Sequence, residues 1–215
     1  MAKRDSVPKD LQALEGIKEL MFERRLNPGQ KLIYRDLEEA LGMSKTPITN
    51  ALVRLEEEGL VISKPNRGYF VKELNSDEIR QMYQMRIKLE EISVDLAIDN
   101  HDPQDLVEWR QHLNRYKNDE NGTYDFMRFQ HDIELHAHLA RMGKNSYLNK
   151  MVNQFFLSTW AILQTAHLSR LIDQFTNDHE QLFEAVKNRK RADAKRIIKR
   201  HHQAAMTMAL ESARR

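Results

Sequence analysis

The chain has 215 residues, 40% of them hydrophobic and 31% charged, with a net charge of +2. This composition is typical of a folded globular protein and excludes a disordered chain; a membrane partner is not expected either, since no apolar run approaches the roughly 18 residues of a membrane-spanning helix. Because the sequence has no cysteine, disulfides and thiolate metal sites are excluded, and a cytoplasmic location is expected.

Glycine and proline cluster in the first third of the chain and become rare afterwards. This distribution predicts short elements joined by tight turns, followed by long helices. Apolar residues at helical spacing between Leu11 and Met21 predict a first helix that stops before Pro28. A second helix is predicted from Tyr34 to Leu41, where Gly42 supplies a left-handed C-cap.

A third helix is predicted after the turn at Gly42-Met43-Ser44, with Pro47 in its first turn and Gly59 at its end. Its apolar face is formed by Ile48, Ala51, Leu52 and Leu55. Two strand-like runs at 60–63 and 69–71 then flank a turn-forming segment and predict a β-hairpin. Three short helices and a hairpin together predict a winged helix-turn-helix over residues 8–72.

The rest of the chain predicts an all-α antiparallel bundle over residues 76–213, so that the protein as a whole is expected to be mainly α. Helical runs are expected at 77–100, 103–118, 122–142, 146–172, 174–189 and 192–213. The boundary between the two domains is expected near Lys72–Asp77, with Ser76 as the N-cap of the first long helix.

The second helix of a helix-turn-helix enters the major groove and contacts bases through its N-terminal residues. Polar side chains occupy that end here, on the face opposite the apolar stripe: Ser44, Lys45, Thr46, Thr49 and Asn50. Lysine can donate to guanine or phosphate and asparagine can pair with adenine. Arg35 and Arg54 are expected at phosphates and Arg67 in a minor groove. The alternative interpretation of these side chains is a solvated polar face.

Four motifs stand in order between Leu26 and Val71: PG-x-x-L, L-x-x-x-LG-x-S-K-TP, AL-x-x-L-x-x-x-GL and RG-x-x-V. This segment resembles the N-terminal domain of the GntR family of bacterial regulators. The resemblance implies binding to double-stranded DNA and contacts from Arg35, Ser44, Lys45, Thr46, Arg67 and Gly68. Lys45 and Thr49 stand where the family usually has arginines, so the operator sequence is not predicted.

A polar cluster is expected inside the helical domain. At about 100° per residue, Asp132 and His136 fall within the apolar arc of their helix. His179 and His201 point inward from two later helices, whereas His202 is expected at the flank. One carboxylate and three imidazoles suit a divalent metal, Zn²⁺, Ni²⁺, Mn²⁺ or Fe²⁺. Taken singly, each histidine is more typical of a hydrogen-bonded core residue or a surface residue than of a metal ligand.

The segments MRIKLEE, HDIELHAHLARMGKNSYL and DHEQLFEAVKNRKRADAKRIIKRHH resemble the FCD domain, the effector-binding domain of the largest GntR subfamily. The resemblance implies a metal site at Asp132, His136, His179 and His201, and small organic acids as effectors. It also implies that Arg86 clamps the effector carboxylate, although an arginine at the edge of an apolar arc is also typical of a snorkelling surface residue.

The leading hypothesis is therefore a homodimeric regulator that binds a near-palindromic operator and responds to a small carboxylate. A second hypothesis keeps the DNA binding and makes the metal purely structural. A third, a metal-dependent phosphohydrolase, rests on the His131-Asp132 pair. Adjacent residues on a helix point about 100° apart, which counts against that enzyme.

Overall fold

Nine α-helices and one β-hairpin form the part of the chain that this computed structural model describes, residues 7–118, 124–163 and 168–212. The side chains of 157–163, 168 and 212 lie outside that description. The chain divides into two compact units, Met1–Leu74 and Asn75–Arg215. The mainly α class with an N-terminal winged helix-turn-helix is confirmed.

The first unit contains three helices and the hairpin: α1 (Lys9–Phe22), α2 (Tyr34–Leu41), α3 (Lys45–Glu57), β1 (Val61–Lys64) and β2 (Gly68–Val71). Helix α1 packs against α3, whose Ile48, Leu52 and Leu55 are fully buried. Gly42 caps α2 with φ of 63°, a left-handed conformation that glycine adopts without strain. The turn at Gly42 allows α3 to pack against α2.

The hairpin is a regular antiparallel pair in which Val61 lies opposite Val71 and Lys64 opposite Gly68. Val61 and Val71 are buried, while most of the intervening residues are exposed. The hairpin is therefore anchored to the core at its base, and its tip extends into solvent.

The described residues of the second unit form six α-helices: α4 (Ser76–Asn100), α5 (Pro103–Lys117), α6 (Phe126–Met142), α7 (Ser146–Leu163), α8 (Ile172–Lys187) and α9 (Arg191–Ser212). A 3₁₀ turn at Leu168–Leu171 precedes α8. Helix α4 packs against α6, α7 and α9, and α9 also packs against α8. Trp109 lies in the core and donates its indole N–H to the Leu135 carbonyl at 2.9 Å. None of the helices among the described residues has the length and apolar character needed to cross a bilayer.

Several helix boundaries differ from the predicted ones. The N-cap of α4 is Asn75 and not Ser76: the Asn75 Oδ1 atom accepts from the backbone N–H groups of Asp77 and Glu78, and Glu78 Oε2 accepts from the Asn75 N–H. This reciprocal pair satisfies backbone donors that a helix start leaves unpaired.

The helix predicted over 146–172 is wrong at its C-terminal end, since Leu168–Leu171 form a 3₁₀ turn and α8 begins at Ile172. Residues 164–167 of that prediction lie outside the described part of the chain. The first two residues of the helix predicted over 122–142 lie outside the described residues, and α6 begins at Phe126 after Asp125, whose side chain accepts from the Arg128 N–H at 2.9 Å. Residue 213, the predicted end of the last helix, lies outside the described part as well.

Candidate metal centre and nucleic-acid interface

The N-terminal end of α3 presents a polar surface. Ser44, Lys45, Thr46 and Asn50 are exposed. Thr49 is half-buried, and its hydroxyl donates to the Lys45 carbonyl at 2.9 Å within the same helix. The backbone N–H groups at a helix start and its dipole both favour an anion. This end of α3 therefore has the polarity that a DNA backbone requires.

The basic side chains near α3 are held in different ways. Arg35 is highly exposed and lies 3.7 Å from Asp36. Arg54 instead forms an ion pair with Asp10 of α1 at 2.9 Å. The sequence did not indicate this ion pair. A DNA phosphate bound by Arg54 would have to share the guanidinium with Asp10.

The hairpin tip, or wing, carries two cations above one aromatic ring. Lys64 Nζ lies 4.4 Å and Arg67 Cζ 5.7 Å from the centroid of Phe70. Gly68 has φ of 86°, in the left-handed region. These contacts orient both cations while leaving their charge exposed, as cation–π contacts at a surface do.

In the second unit, helices α6, α8 and α9 bring together the four residues predicted as metal ligands. Asp132, His136, His179 and His201 are all buried, and each offers a ligand atom within 4.8 Å of the others. Asp132 Oδ1 lies 3.3 Å from His179 Nε2 and 3.9 Å from His136 Nε2. None of these three atoms has a hydrogen-bond partner among the described residues.

Those distances suit a common ion. With metal–nitrogen bonds of about 2.0–2.1 Å, two ligands of one ion lie about 3.0–4.2 Å apart, depending on the angle between them. Buried polar atoms are normally paired, so unpaired atoms that face one another need an explanation. A divalent cation would supply one, and the oxygen and nitrogen donors would suit Zn²⁺, Ni²⁺, Mn²⁺ or Fe²⁺.

Burial also favours the metal-binding form of two of these histidines, His179 and His201. It lowers the pKa of His179 well below its ordinary value, and the neighbouring histidines lower it further. Burial also lowers the pKa of His201, although the neighbouring Asp178 carboxylate acts in the opposite direction. Neutral imidazoles are the form that binds a metal. Tyr124 donates its hydroxyl to the second oxygen of Asp132 at 3.0 Å, which leaves Oδ1 for the ion.

Glu90 of α4 is a buried residue that the sequence reasoning missed. Its Oε2 atom lies 2.6 Å from His136 Nδ1, and its Oε1 atom accepts from Arg86 Nε at 2.9 Å. His202 Nε2 lies 2.8 Å from the same Oε1 atom. Burial alone would raise the pKa of Glu90, but His136, His202 and Arg86 bring it well below its ordinary value. The one sequence signal for this ion pair is the spacing of four residues, about one helical turn, between Arg86 and Glu90.

Two expectations change as a result. His202 is only 1% exposed, so its predicted place at the flank is wrong: α9 is covered by both α4 and α8, and its buried arc is wide enough to include two adjacent histidines. Arg86 is 6% exposed, which excludes the snorkelling surface residue. Its guanidinium lies 4.9 Å from the ring of Phe156.

The remaining ligand histidine has a carboxylate neighbour of its own. His201 Nδ1 lies 3.7 Å from Asp178 Oδ2, and the other oxygen of Asp178 forms a short ion pair with Arg200. The ring of Tyr116 packs edge-on against His179, with 4.7 Å between centroids. The four candidate ligands are thus enclosed by polar and aromatic side chains from four helices.

Family comparison decides what kind of protein carries these sites. Residues 10–71 match the gntR family of bacterial regulatory proteins, and residues 81–204, more than half of the chain, match the FCD domain. The chain belongs to the GntR family, FCD branch. It is a transcriptional regulator with a DNA-binding winged helix-turn-helix, and the phosphohydrolase hypothesis is set aside.

Relatives in the GntR family support this assignment. The HTH-type transcriptional regulator YdhC of Bacillus subtilis (strain 168) is 26% identical over 204 residues, which cover 90% of this chain and 88% of that protein. The Nta operon transcriptional regulator of Aminobacter aminovorans is 26% identical over 192 residues, covering 87% and 88%. McbR of Escherichia coli (strain K12) is 34% identical over 113 residues, covering 53% and 51%.

Solved structures show the same fold. The structure of E. coli McbR/YncC matches with a TM-score of 0.78 at 22% identity, covering 96% of this chain and 99% of that one. A GntR regulator from Rhodococcus sp. RHA1 matches with a TM-score of 0.75 at 18% identity, covering 95% and 98%. At such identities the likeness concerns the fold, and this GntR regulator's ligands must be argued from its own residues.

Proposed function

We propose that this regulator binds a near-palindromic double-stranded operator as a homodimer, and that a small carboxylate bound beside a divalent metal controls its affinity for that DNA. The observation that carries the proposal is the group of four buried, mutually facing donors at Asp132, His136, His179 and His201. A DNA-binding unit does not need such a group to fold or to read DNA. A sensing role explains why a regulator keeps it.

The metal would be held by one carboxylate oxygen and three imidazole nitrogens, which leaves coordination positions for a ligand oxygen. A bound Zn²⁺, Ni²⁺, Mn²⁺ or Fe²⁺ ion would supply Lewis-acid attraction for an anionic group. The protein contributes the enclosure, in which His136 is fully buried and Asp132 is 5% exposed. Such burial strengthens electrostatic attraction to a small anion relative to water.

Arg86 favours a carboxylate over a neutral effector. Its Nε atom is engaged by Glu90, and its guanidinium packs over Phe156. These two contacts fix the orientation of the Arg86 guanidinium, with the Glu90 carboxylate bound at its Nε edge. Because a guanidinium has five donors, Arg86 can still bind a second carboxylate with two parallel hydrogen bonds.

A second copy of the chain has apolar surface to cover in the helical unit. Met85 and Ile92 of α4 and Tyr147 and Met151 of α7 are exposed, and α4 packs against α7. A twofold dimer would match a near-palindromic site with its two recognition helices about one turn of DNA apart. Sedimentation of the intact protein tests this part, because a monomer at micromolar concentration would exclude it.

The test of the whole proposal uses the intact protein and DNA from its own promoter region. We expect sequence-selective binding that weakens with salt, stoichiometric metal by elemental analysis, and a set of small carboxylates that raise the melting temperature and change DNA binding. Absence of selective DNA binding contradicts the regulator hypothesis. If metal is present and no carboxylate changes DNA binding, the metal is structural and the sensing role is wrong.

Arg86→Lys distinguishes binding of the effector carboxylate by the two-donor guanidinium from attraction by positive charge alone. Lysine keeps a cation next to Glu90 but lacks the planar, two-donor edge. We expect this variant to fold and bind metal, and to lose at least tenfold in affinity for the carboxylate found in the screen. An unchanged affinity would show that the carboxylate binds elsewhere.

A further inference from the structure

Glu90 is a buried carboxylate whose three neighbours come from three helices. It lies on α4 with 1% exposure, and it contacts Arg86 of the same helix, His136 of α6 and His202 of α9. An ionised carboxylate buried among apolar helices is costly unless it is paired and hydrogen-bonded. Here the pairing is complete, since both carboxylate oxygens have partners at 2.6 to 2.9 Å.

The bond from His136 to Glu90 defines which nitrogen of His136 can bind a metal. An ionised carboxylate only accepts, so the Nδ1 atom at 2.6 Å must carry the hydrogen. In a neutral ring the lone pair then lies on Nε2. That atom faces Asp132 Oδ1 at 3.9 Å, inside the candidate metal centre. Glu90 thus selects the tautomer of His136 that presents a donor to the ion.

Glu90, His136 and His202 also lie close enough to be considered as a separate metal site. Two features argue against it. The 2.6 Å contact between Glu90 Oε2 and His136 Nδ1 is a hydrogen bond, shorter than the roughly 3.0 Å between two ligands of one ion. The Arg86 cation already binds the Oε1 atom that such an ion would need. This group is a support for the metal centre and not a second centre.

We propose that Glu90 is a positioning residue: it holds His136 in the Nδ1–H tautomer and, by sharing its carboxylate with Arg86, links the effector-binding guanidinium to the metal. This inference rests on the proposed metal centre. Carboxylates that orient metal-ligating histidines raise metal affinity about 10- to 100-fold. Arg86 Nε and His136 Nδ1 bind opposite oxygens of the Glu90 carboxylate. An effector carboxylate that moves the Arg86 guanidinium would therefore also change the hydrogen bond between Glu90 and His136.

The experiment compares wild type with Glu90→Gln, with Co²⁺ as the probe. Glutamine keeps the shape of Glu90 and removes the charge that imposes the tautomer. Glu91→Gln is the matched control, since Glu91 is the next residue of α4 and pairs with Lys88 at 2.8 Å. By chelator competition we expect Glu90→Gln to weaken Co²⁺ binding about 10- to 100-fold, and Glu91→Gln to leave it within about twofold.

A second readout needs no metal. In the metal-free protein, long-range ¹H–¹⁵N spectra report which nitrogen of each histidine carries the hydrogen. We expect His136 to be in the Nδ1–H form in wild type and in Glu91→Gln, and to lose that preference in Glu90→Gln. Retention of the Nδ1–H form together with unchanged Co²⁺ affinity would overturn the proposal.

The two readouts also separate this inference from the proposed function. If wild type fails to bind Co²⁺, the metal centre is wrong, and the tautomer spectrum alone then decides whether Glu90 positions His136. If Glu90→Gln does not fold, Glu90→Asp serves, because it keeps the charge but stands one methylene further from His136. A smaller loss of Co²⁺ affinity in Glu90→Asp supports the proposal, and wild-type affinity contradicts it.

Discussion

Replacing His179 by leucine should change the stability of the protein by different amounts with and without metal. His179 is 1% exposed, and neither of its ring nitrogens has a hydrogen-bond partner among the described residues. Without metal, each unpaired buried nitrogen costs about 1–3 kcal/mol. Leucine removes both nitrogens at similar volume and adds a packing penalty of about 1.5 kcal/mol or less. Two unpaired nitrogens together cost about 2–6 kcal/mol, so after the packing penalty we expect metal-free His179→Leu to be more stable than wild type by about 0.5 kcal/mol or more.

Metal should shift the stability difference towards wild type. At a free Zn²⁺ concentration 100 times the dissociation constant, wild type gains about 2.7 kcal/mol. If loss of one ligand raises that constant about 100-fold, the variant gains only about 0.4 kcal/mol under the same conditions. The metal-induced increment thus differs by about 2.3 kcal/mol, or about 5–9 °C in melting temperature for a chain of this size.

The assay is thermal unfolding of the intact protein in chelator and in buffered Zn²⁺. His138→Leu is the control, because His138 lies on the same helix as His136, is buried, and has its Nε2 atom 2.9 Å from the Asp105 carbonyl. That variant should lose stability in both conditions and keep the full metal increment. Equal destabilisation of His179→Leu with and without Zn²⁺ would refute the reasoning, since it would make His179 an ordinary core residue.

Three further outcomes are expected. Gly42→Ala should cost about 1–2 kcal/mol of unfolding free energy, because φ is 63° and nothing lies within 4 Å of the added methyl group; wild-type stability would contradict the cap. Lys45→Ala should weaken DNA binding and reduce the salt slope by about 1, measured by titration at several salt concentrations. Burial raises the pKa of Glu180, but Lys117 and Arg110 lower it below its ordinary value. The stabilisation that ionised Glu180 contributes is therefore present above pH about 4.5 and is lost as the pH falls through the lowered pKa. Glu180→Gln should consequently reduce the dependence of the free energy of unfolding on pH in the acid range.

The sequence predicted the elements of the DNA-binding unit well because turn chemistry defines them. Gly42 and Gly59 both adopt positive φ, at 63° and 75°, at the places where the predicted helices end. The start of α4 was misplaced by one residue, since Asn75 and Ser76 are both good N-caps. The spacing Asn75-x-x-Glu78 matches a capping box and would have decided it.

The candidate metal ligands were predictable for a different reason. Asp132 and His136 lie one turn apart on α6, and helical periodicity alone puts both on the buried face. Glu90 was not predictable in this way, because an arginine and a glutamate one turn apart are typical of an exposed ion pair. Only the packing of α6 and α9 against α4 makes Arg86 and Glu90 a buried pair.

The small net charge of +2 and the DNA-binding unit are compatible because charges are separated along α3. Its N-terminal end presents Lys45, which lies 5.0 Å from the ring of Tyr34, whereas its C-terminal end carries Glu56, Glu57 and Glu58. Some cations are neutralised inside the fold, since Lys18 pairs with Glu58 at 3.0 Å as Arg54 pairs with Asp10.

Lys45 and the wing residue Arg67 contact aromatic rings instead, and neither forms an ion pair among the described residues. An aromatic ring orients a cation without cancelling its charge. Cations without an ion-pair partner therefore lie at the start of α3 and at the wing, the two places from which a winged helix-turn-helix meets DNA. Charge reversal at Lys45 should consequently weaken DNA binding far more than the same change at Lys18, although both change the net charge equally.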